Sequence, residues 1–589
     1  MKEKVEFYQL QISKWEGILA GLKKQLLQSS FLRFLVFLST VGGIYLFYNT
    51  TAIAISFFII GAIAFIYLVS RHTNLQYKRD KALMLIKINH TELDVLARNF
   101  HDLPCGDQFM DVNHAFSHDI DLFGKGSFFQ YSNRTSIPEG TSALAFLLLG
   151  NDISNITQKQ EAILELRELP QWRQEFAADA MLVKTEVSSQ KLVSWLLKYR
   201  AFVPFFVKWL PMVFSICSGI LLALYLFDLF SGWGLVAWFF VGLGITGRYL
   251  KQINKLASDT TKVQQTFEQF QKLLIQLEEH HFDAALLQEY KANILGTDKK
   301  VSVVLKDFAR ILNALDQRNN MLFGVVGNGL LLWDLRQCYL LEQWIGQHGR
   351  HVEKWFNTIA LFDAYNSMGN FAFNHPEYVF PELSAATTMI RAKGISHPML
   401  DPENAVHNSF EINAEEFFII SGANMAGKST FLRTVSLLVV MANAGMPVCA
   451  REMLYAPIKL ITSMRSSDSL ANAESYFFSE LKRLKYIVNQ MEIDRYFIVL
   501  DEILKGTNST DKATGSKKFI EKLVASRSTG IIATHDLSLC ELANKIPEVF
   551  NYFFDAEIKN DTLHFDYTLK TGICQNMNAS FLLTKMGIV

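Results

Sequence analysis

Long apolar runs dominate the first half of the chain. Residues 31–48 and 52–70 contain one charged residue between them, Arg33, and residues 209–227 and 232–247 contain none. Each run approaches the roughly 20 residues that cross a bilayer as a helix. The pattern predicts two hairpins of membrane-spanning helices, with four spans in all. The alternative is a pair of helical hairpins buried in a large soluble core.

The charges that flank these runs predict an orientation. Several Lys and Arg residues lie before and after each pair, whereas the links at residues 49–51 and 228–231 contain none. Because basic flanks stay on the cytoplasmic side, both turns are expected outside and both termini in the cytoplasm. Residues 1–29 read as a polar, amphipathic helix without a signal-peptide cleavage pattern. These features predict a multi-pass protein of the cell membrane.

The hydrophobic period changes along the chain. Residues 250–292 carry apolar positions at helical spacing and predict one long amphipathic helix, either an arm or a core element. From about residue 405, short apolar runs alternate with helical stretches, as in a parallel sheet covered on both faces. The predicted parts are an N-terminal helix with the first hairpin at 1–84, an all-α core at 85–200 and 250–400, the second hairpin at 201–249, and an α/β domain at 401–589.

Composition adds little beyond the membrane prediction. The 589 residues include 57 basic and 57 acidic ones, so net charge gives no overall attraction to nucleic acid. Hydrophobic residues make up 50% and charged residues 19%, which suits a chain with membrane segments. Six scattered cysteines lack C-x-x-C spacing, which favours neither a zinc site nor a disulfide framework and fits a reducing compartment.

One segment has the pattern G-x-x-x-x-G-K-[ST] between an apolar strand and a helix. Such a P-loop directs backbone N–H groups and a helix N-terminus at phosphate oxygens. Lys428 is expected to reach the β- and γ-phosphates, and Ser429 to ligate Mg²⁺. The predicted ATP-binding residues are Gly422, Ala423, Asn424, Met425, Ala426, Gly427, Lys428, Ser429 and Thr430.

Two later strands end in residues suited to nucleotide hydrolysis. Asp501 and Glu502 follow an apolar strand, where Asp501 would hold the Mg²⁺ shell and Glu502 would orient or deprotonate the attacking water. His535 ends a third strand and is a candidate γ-phosphate sensor or water-positioning residue, the alternative being an ordinary surface histidine. The predicted activity is Mg²⁺-dependent ATP hydrolysis.

Two hydroxyl-rich segments, residues 467–477 and 506–511, lie near these motifs. Such loops can complete a phosphate site across a dimer interface. They can also be simple helix caps, for example through Ser475, Ser509 or Thr510. Spacing alone leaves both interpretations open.

Together these segments resemble the MutS family of mismatch-repair ATPases. Residues 422–430 resemble its G-P-N-M-G-G-K-S-T loop, residues 467–480 its S-D-D-L-A-S-G-R-S-T-F-x-x-E signature, and residues 501–511 its D-E-I-G-R-G-T-S-T-x-D segment. Residues 121–140 are similar to the start of the family's lever domain, and residues 394–398 to its G-R-H-P lead.

The resemblance implies ATPase domains that pair as a homodimer through composite nucleotide sites. By position, Ser475 would reach the partner's γ-phosphate, and Gly506, Thr507 and Asn508 would lie at the same interface. The family pattern is not complete, because Ala426 replaces a glycine and Lys505 an arginine, and no Phe-x-Glu mismatch reader is visible.

The expected function is a membrane-anchored ATPase that switches a dimeric clamp-like assembly, with DNA binding in mismatch repair or recombination as the family implies. The alternative is an ATP-driven membrane switch or scaffold that binds no DNA. A transporter ATPase of the ABC type is disfavoured because the chain has no L-S-G-G-Q signature and only four predicted spans.

Overall fold

The computed structural model describes residues 2–182, 188–260, 263–295, 299–384, 387–423, 425–465, 476–504, 508–559 and 562–575. Within these residues, helices fill the chain up to residue 374, and strands with intervening helices follow from residue 382. This agrees with the predicted order of an all-helical region followed by an α/β region.

The first hairpin consists of two unusually long helices, α1 (Lys2–Leu46) and α2 (Thr51–Leu96). Neither contains a proline, so the amphipathic N-terminal stretch and the apolar run form one unbroken helix. Near the turn, a Cβ on Gly61 would lie 2.0 Å from the Thr40 hydroxyl, which shows how closely the helices approach. Helix α2 continues beyond the apolar run and ends at Leu96.

Fourteen further helices form the described helical body and pack around one apolar core. They are α3 (Phe128–Ser132), α4 (Pro138–Leu149), α5 (Ile156–Arg167), α6 (Pro170–Met181), α7 (Ser189–Lys198), α8 (Leu210–Leu226), α9 (Gly232–Gly247), α10 (Leu250–Thr260), α11 (Val263–Glu279), α12 (Ala285–Ala292), α13 (Val301–Asp316), α14 (Met321–Leu331), α15 (Trp333–His348) and α16 (Val352–Asn374).

The single long helix predicted for residues 250–292 is divided among α10, α11 and α12. Its apolar positions do point inward as expected, and Leu256, Phe267 and Leu274 are all buried. The helical period was therefore recognised correctly, but the ends of the individual helices were not.

The prediction of four membrane spans is not met. Within the described residues, α1 and α2 are long and apolar enough to cross a membrane, and the bent pair of α9 and α10 makes a third only if counted as one span. Helices α8 and α9 have 17 and 16 residues. At about 1.5 Å per residue they are roughly 25 Å long, short of a hydrocarbon core of about 30 Å.

The polar halves of α1 and α2 pack on the helical body through buried hydrogen bonds. Tyr8 of α1 donates to Asn374 at the end of α16, with 2.6 Å between the oxygens. Asn374 in turn donates to Glu92 of α2, whose other oxygen accepts from Arg134 at 2.8 Å. Because buried polar groups are costly to separate from their partners, the hairpin and the body form one unit.

The α/β region contains two main sheets and a small hairpin in its described residues. Its strands are β1 (Glu382–Leu383), β2 (Thr388–Ile395), β3 (Asn408–Asn413), β4 (Phe417–Gly422), β5 (Glu452–Tyr455), β6 (Lys459–Ser463), β7 (Tyr496–Asp501), β8 (Thr529–Ala533), β9 (Val549–Phe554), β10 (Ala556–Lys559), β11 (Thr562–Phe565) and β12 (Lys570–Thr571). Its helices are α17 (Lys428–Asn443), α18 (Tyr476–Met491) and α19 (Ser509–Ala525).

The central sheet has the order β12-β9-β4-β8-β7-β6 and is parallel except for β12. Strands β4, β7 and β8 are buried along nearly their whole length, as expected for a sheet covered on both faces. The second sheet, β1-β5-β2-β3, is mixed. Because β4, β8 and β7 are parallel neighbours in the central sheet, their carboxyl ends lie side by side.

The helical body covers the β6 edge of the central sheet. The Asn151 side chain accepts from the Leu460 N–H at 2.8 Å and donates to the Leu460 carbonyl at 2.9 Å, as a neighbouring strand would. The Thr462 N–H donates to the Ala115 carbonyl at 2.9 Å, and Arg483 donates to the Thr462 and Ala115 carbonyls. Residues distant in sequence therefore provide the hydrogen-bond partners for the backbone N–H and C=O groups of the β6 edge.

This arrangement predicts that Asn151→Gly destabilises the protein. Asn151 has φ +49°, so glycine relieves backbone strain and any loss reflects the missing amide bonds. Leaving two strand groups without partners should cost about 1–3 kcal/mol, measured as a lowered thermal unfolding midpoint of the detergent-solubilised protein.

Asn155→Gly is the matched control, because Asn155 also has a positive φ and its side chain makes no capping hydrogen bond to α5. An equal loss of stability in both variants would contradict the role assigned to the Asn151 amide.

Candidate nucleotide-binding site

The predicted P-loop joins β4 to α17. Gly422 has φ +149°, and a Cβ there would lie 2.5 Å from the Phe554 carbonyl oxygen of β9. Gly427 has φ +103° and is the N-cap of α17, so the loop enters the helix through a conformation that favours glycine. The N-terminal amides of α17 consequently face the mouth of the loop, where an anion is stabilised.

Lys428 lies at the centre of the site and is only 5% exposed. Its Nζ donates to the carbonyls of Gly422 and Ala423 at 2.8 and 2.9 Å, and lies 3.3 Å from Nε2 of His535. Burial lowers the pKa of Lys428, while the nearby Asp501 and Glu502 carboxylates oppose that shift. The loop's own carbonyls therefore hold the ammonium where phosphate oxygens would replace them.

Ser429 and Asp501 come together because β4 and β7 flank β8 in the central sheet. The Ser429 hydroxyl donates to Oδ2 of Asp501 at 2.6 Å. A hydroxyl and a carboxylate are ligands that Mg²⁺ accepts, with nucleotide phosphates and water completing its shell. Among the described residues, no group of three or more His, Cys, Asp or Glu side chains could hold a metal ion.

Glu502 follows β7 in a strained backbone conformation, with φ +50°. Its Oε1 lies 2.6 Å from Nε2 of His535, which follows β8. This distance is shorter than the 3.3 Å from Nζ of Lys428 to the same nitrogen, so the Glu502 carboxylate is the nearer partner of His535. The strand ends thus bring Lys428, Glu502 and His535 into one cluster.

A cavity of about 710 Å³ opens over this cluster, within the usual range for small-molecule sites. The predicted residues Met425, Gly427, Lys428, Ser429, Thr430, Asp501, Glu502 and His535 line it. Ala426 is buried beneath the loop, whereas Met425 is exposed. The structure therefore brings together the main predicted residues of the P-loop and of the two later strands.

Sequence reasoning missed other residues that line the cavity, among them His397, Asn404, Asn408 and Tyr567. Asn408 fixes part of this lining: its side chain donates to the Tyr567 carbonyl at 3.0 Å and accepts from the Leu569 N–H at 2.8 Å. Of these residues, only His397 lay in a segment that the sequence analysis singled out, residues 394–398, through its resemblance to the family's G-R-H-P lead. The others come from distant segments without a spacing pattern.

Some predicted positions lie outside the described residues: Asn424, Ser475, Gly506 and Thr507. Asn508 is described and caps α19, with its side chain accepting from the Asp511 N–H at 2.8 Å. The helix-cap interpretation therefore applies to this segment, but through Asn508 rather than Ser509 or Thr510. The role predicted for Asn508 at a dimer interface stays a prediction.

The fold and the cluster define an α/β nucleotide-binding domain of the P-loop ATPase class. Residues 418–583 match the family model described as MutS domain V. The α/β region of the chain is therefore similar to domain V of the MutS family.

Curated relatives agree with this assignment. The chain is 35% identical over 204 residues to the DNA mismatch repair protein MutS of Aquifex pyrophilus, covering 33% of this chain and 23% of the relative. It is 29% identical over 252 residues to the MutS protein homolog 4 of Homo sapiens, covering 41% and 26%. The match spans about a quarter of the length of these relatives.

His397 generates a prediction for pH dependence. Burial, with a smaller effect of the Arg433 charge, lowers the pKa of His397 to about 4. The Met399 N–H also donates to its Nδ1 at 3.2 Å, which requires the neutral ring. Between pH of about 6.5 and about 4 the unfolded chain binds a proton that the folded chain does not, so stability falls as pH falls through this window.

We expect His397→Asn to make stability depend less on pH in this window, because asparagine can accept the same hydrogen bond from the Met399 N–H and does not titrate. The measurement is the thermal midpoint from pH 7 down to pH 5, with the exposed His90→Asn as the control for losing one histidine. A curve as steep as that of the unsubstituted protein would contradict the assignment.

Proposed function

We propose that the protein is a membrane-anchored, MutS-like ATPase whose nucleotide cycle pairs and releases two ATPase domains. The observation that carries the proposal is the cluster of Lys428, Ser429, Asp501, Glu502 and His535 at the mouth of one cavity. These residue types supply phosphate binding, cation ligation and water activation in a single place.

In the proposed cycle, Lys428 exchanges its bonds to the Gly422 and Ala423 carbonyls for oxygens of the β- and γ-phosphates. Ser429 and Asp501 would hold Mg²⁺, and the bound cation would neutralise phosphate charge. Glu502 then orients the attacking water and accepts its proton, while His535 keeps the carboxylate in position through the 2.6 Å contact. The strained backbone at Glu502 fits a residue whose placement serves chemistry.

Pairing of two copies is proposed to complete each site. Ser475 would reach the partner's γ-phosphate, and Gly506, Thr507 and Asn508 would lie at the same interface, as the family resemblance implies. Hydrolysis would then release the pair. The helical body would transmit the change, because it bonds directly to the β6 edge of the ATPase sheet.

Membrane anchoring is proposed for α1 and α2, whose apolar halves expose many large side chains. The ATPase domain and both termini would face the cytoplasm, since the basic residues flank the helices on that side. For DNA, the relatives named as mismatch repair proteins suggest binding in repair or recombination. A membrane switch that binds no DNA is the second candidate, favoured by the buried bonds between α1, α2 and α16.

The chemistry predicts different losses for two variants. Lys428→Ala should weaken nucleotide binding by about 10- to 100-fold, because it removes charge-assisted hydrogen bonds. Glu502→Gln should keep nucleotide affinity but lower turnover by about 10²–10⁴-fold and accumulate the paired form with ATP. Binding of a fluorescent ATP analogue, phosphate release and light-scattering mass report these quantities.

Glu541→Gln, which removes an exposed glutamate elsewhere in the domain, is the matched control and should behave like the unsubstituted protein. Full turnover in Glu502→Gln would refute the assigned role of Glu502.

Salt dependence separates the two candidate functions. If the protein binds DNA through phosphate contacts, the logarithm of the binding constant should fall linearly with the logarithm of salt concentration. Fluorescence anisotropy of detergent-solubilised protein with duplex, mismatched and branched DNA, each with ATP or ADP, measures this slope. Absence of binding to every DNA at low salt would exclude the repair function and leave the membrane switch.

A further inference from the structure

Helix α14 is an apolar element that the sequence analysis did not recognise as a membrane segment. Residues 319–333 contain no charged side chain between Arg318 and Asp334. Met321 and Leu322 are 83% and 78% exposed, although such residues are usually buried. An exposed apolar surface of this kind marks contact with another apolar phase or partner.

The helix packs closely against the second hairpin. A Cβ on Gly242 of α9 would lie 2.3 Å from the Gly329 carbonyl oxygen, and a Cβ on Gly329 would lie 2.2 Å from the Phe239 ring. Small residues that let helix backbones approach are typical of packing within membranes, where apolar burial alone does not drive association. Helices α8, α9 and α14 therefore form one module.

Side chains of α8 satisfy the backbone at the end of α14. The Ser218 hydroxyl can donate to the Leu330 carbonyl at 2.7 Å or to the Phe214 carbonyl of its own helix at 2.9 Å, and it accepts from the Trp238 indole N–H at 2.8 Å. The terminal carbonyls of a helix normally bond to water or caps, and in hydrocarbon they require protein donors. The C-terminal end of α14 therefore has a protein hydrogen-bond donor available, as a helix end in hydrocarbon requires.

The two ends of the apolar segment meet. Arg318 and Asp334 form a buried ion pair with 3.0 Å between Nε and Oδ2, and Arg318 also donates to Asn254 of α10 at 2.7 Å. An 11-residue helix is about 16 Å long, roughly half of the hydrocarbon thickness. A segment that starts and ends at one ion pair cannot cross a bilayer.

We propose that residues 319–333 form a re-entrant element that dips into the leaflet nearest the ATPase domain. There it completes an inserted module with α8 and α9. The occupant of its exposed face is lipid acyl chain, because α14 packs on α8 and α9, and these two helices also expose large apolar side chains: Met212, Val213, Ile216, Ile220, Val236 and Phe240. The inference rests on the proposed membrane anchoring.

Fluorophore labelling of single cysteines in the full-length protein, reconstituted in phosphatidylcholine vesicles, tests the proposal. Cys105→Ala and Cys217→Ala remove the partly exposed thiols, and the remaining four are buried. Leu322→Cys is compared with Ile60→Cys in α2 and with Ile493→Cys in the ATPase domain, all exposed positions. Quenchers are aqueous iodide and a lipid with a nitroxide on an upper acyl carbon.

We expect the Leu322 label to be quenched by nitroxide lipid and protected from iodide, like the Ile60 label. Iodide quenching equal to that of Ile493 would overturn the proposal, and so would protection from both quenchers, which means a covering protein surface. If the Ile60 label also behaves like that of Ile493, membrane anchoring itself has failed, so the two failures are distinguishable.

The re-entrant path has its own test. Asn319, the first residue of the segment, and Arg336, just beyond its end, are both exposed, so cysteines there should react with an impermeant maleimide from the side on which Ile493→Cys reacts. If one of these two cysteines reacts only from the opposite side of the membrane, the segment crosses the bilayer and the proposal is overturned.

Discussion

The arrangement of the described regions depends on one requirement: the backbone groups at the β6 edge of the central sheet need hydrogen-bond partners. A strand at a sheet edge presents N–H and C=O groups that must find partners when the edge is covered. At β6 the helical body supplies the Asn151 amide and the Ala115 carbonyl, and α18 of the α/β region supplies the Arg483 guanidinium, which also donates to the Ala115 carbonyl. The body is consequently hydrogen-bonded into the same sheet that positions the nucleotide cluster.

The coupling extends beyond the edge itself. Asp119 accepts from the Thr462 hydroxyl at 2.6 Å and from the Arg465 N–H at 2.9 Å, and Arg465 also pairs with Asp121. Arg433 of α17 lies 3.7 Å from the same Asp121. A movement of α17 on nucleotide binding would therefore reach the helical body through one short acidic segment, without a flexible connection between them.

The sequence predicted what is local and missed what is assembled from distant segments. The P-loop and the acids of β7 follow from residue types within one strand and its loop, so their positions were found. The cavity wall formed by Asn408 and Tyr567 joins segments more than 150 residues apart, as the Asn408–Tyr567 bond shows. The four-span prediction failed because an apolar run does not reveal where the helix within it ends. Helix α14 was missed because its apolar stretch is short and interrupted by glycines.

The long first hairpin also restricts how two copies can meet. Its polar half is fixed to the helical body by Tyr8, Asn374 and Glu92, so the body has a defined orientation relative to α1 and α2. If both copies are anchored in one bilayer, a two-fold pair must bring both hairpins to the same side, which sets the symmetry axis along the membrane normal. Inverted arrangements, in which the two copies point in opposite directions across the membrane, are thereby excluded, and the copies meet by diffusion within the membrane plane.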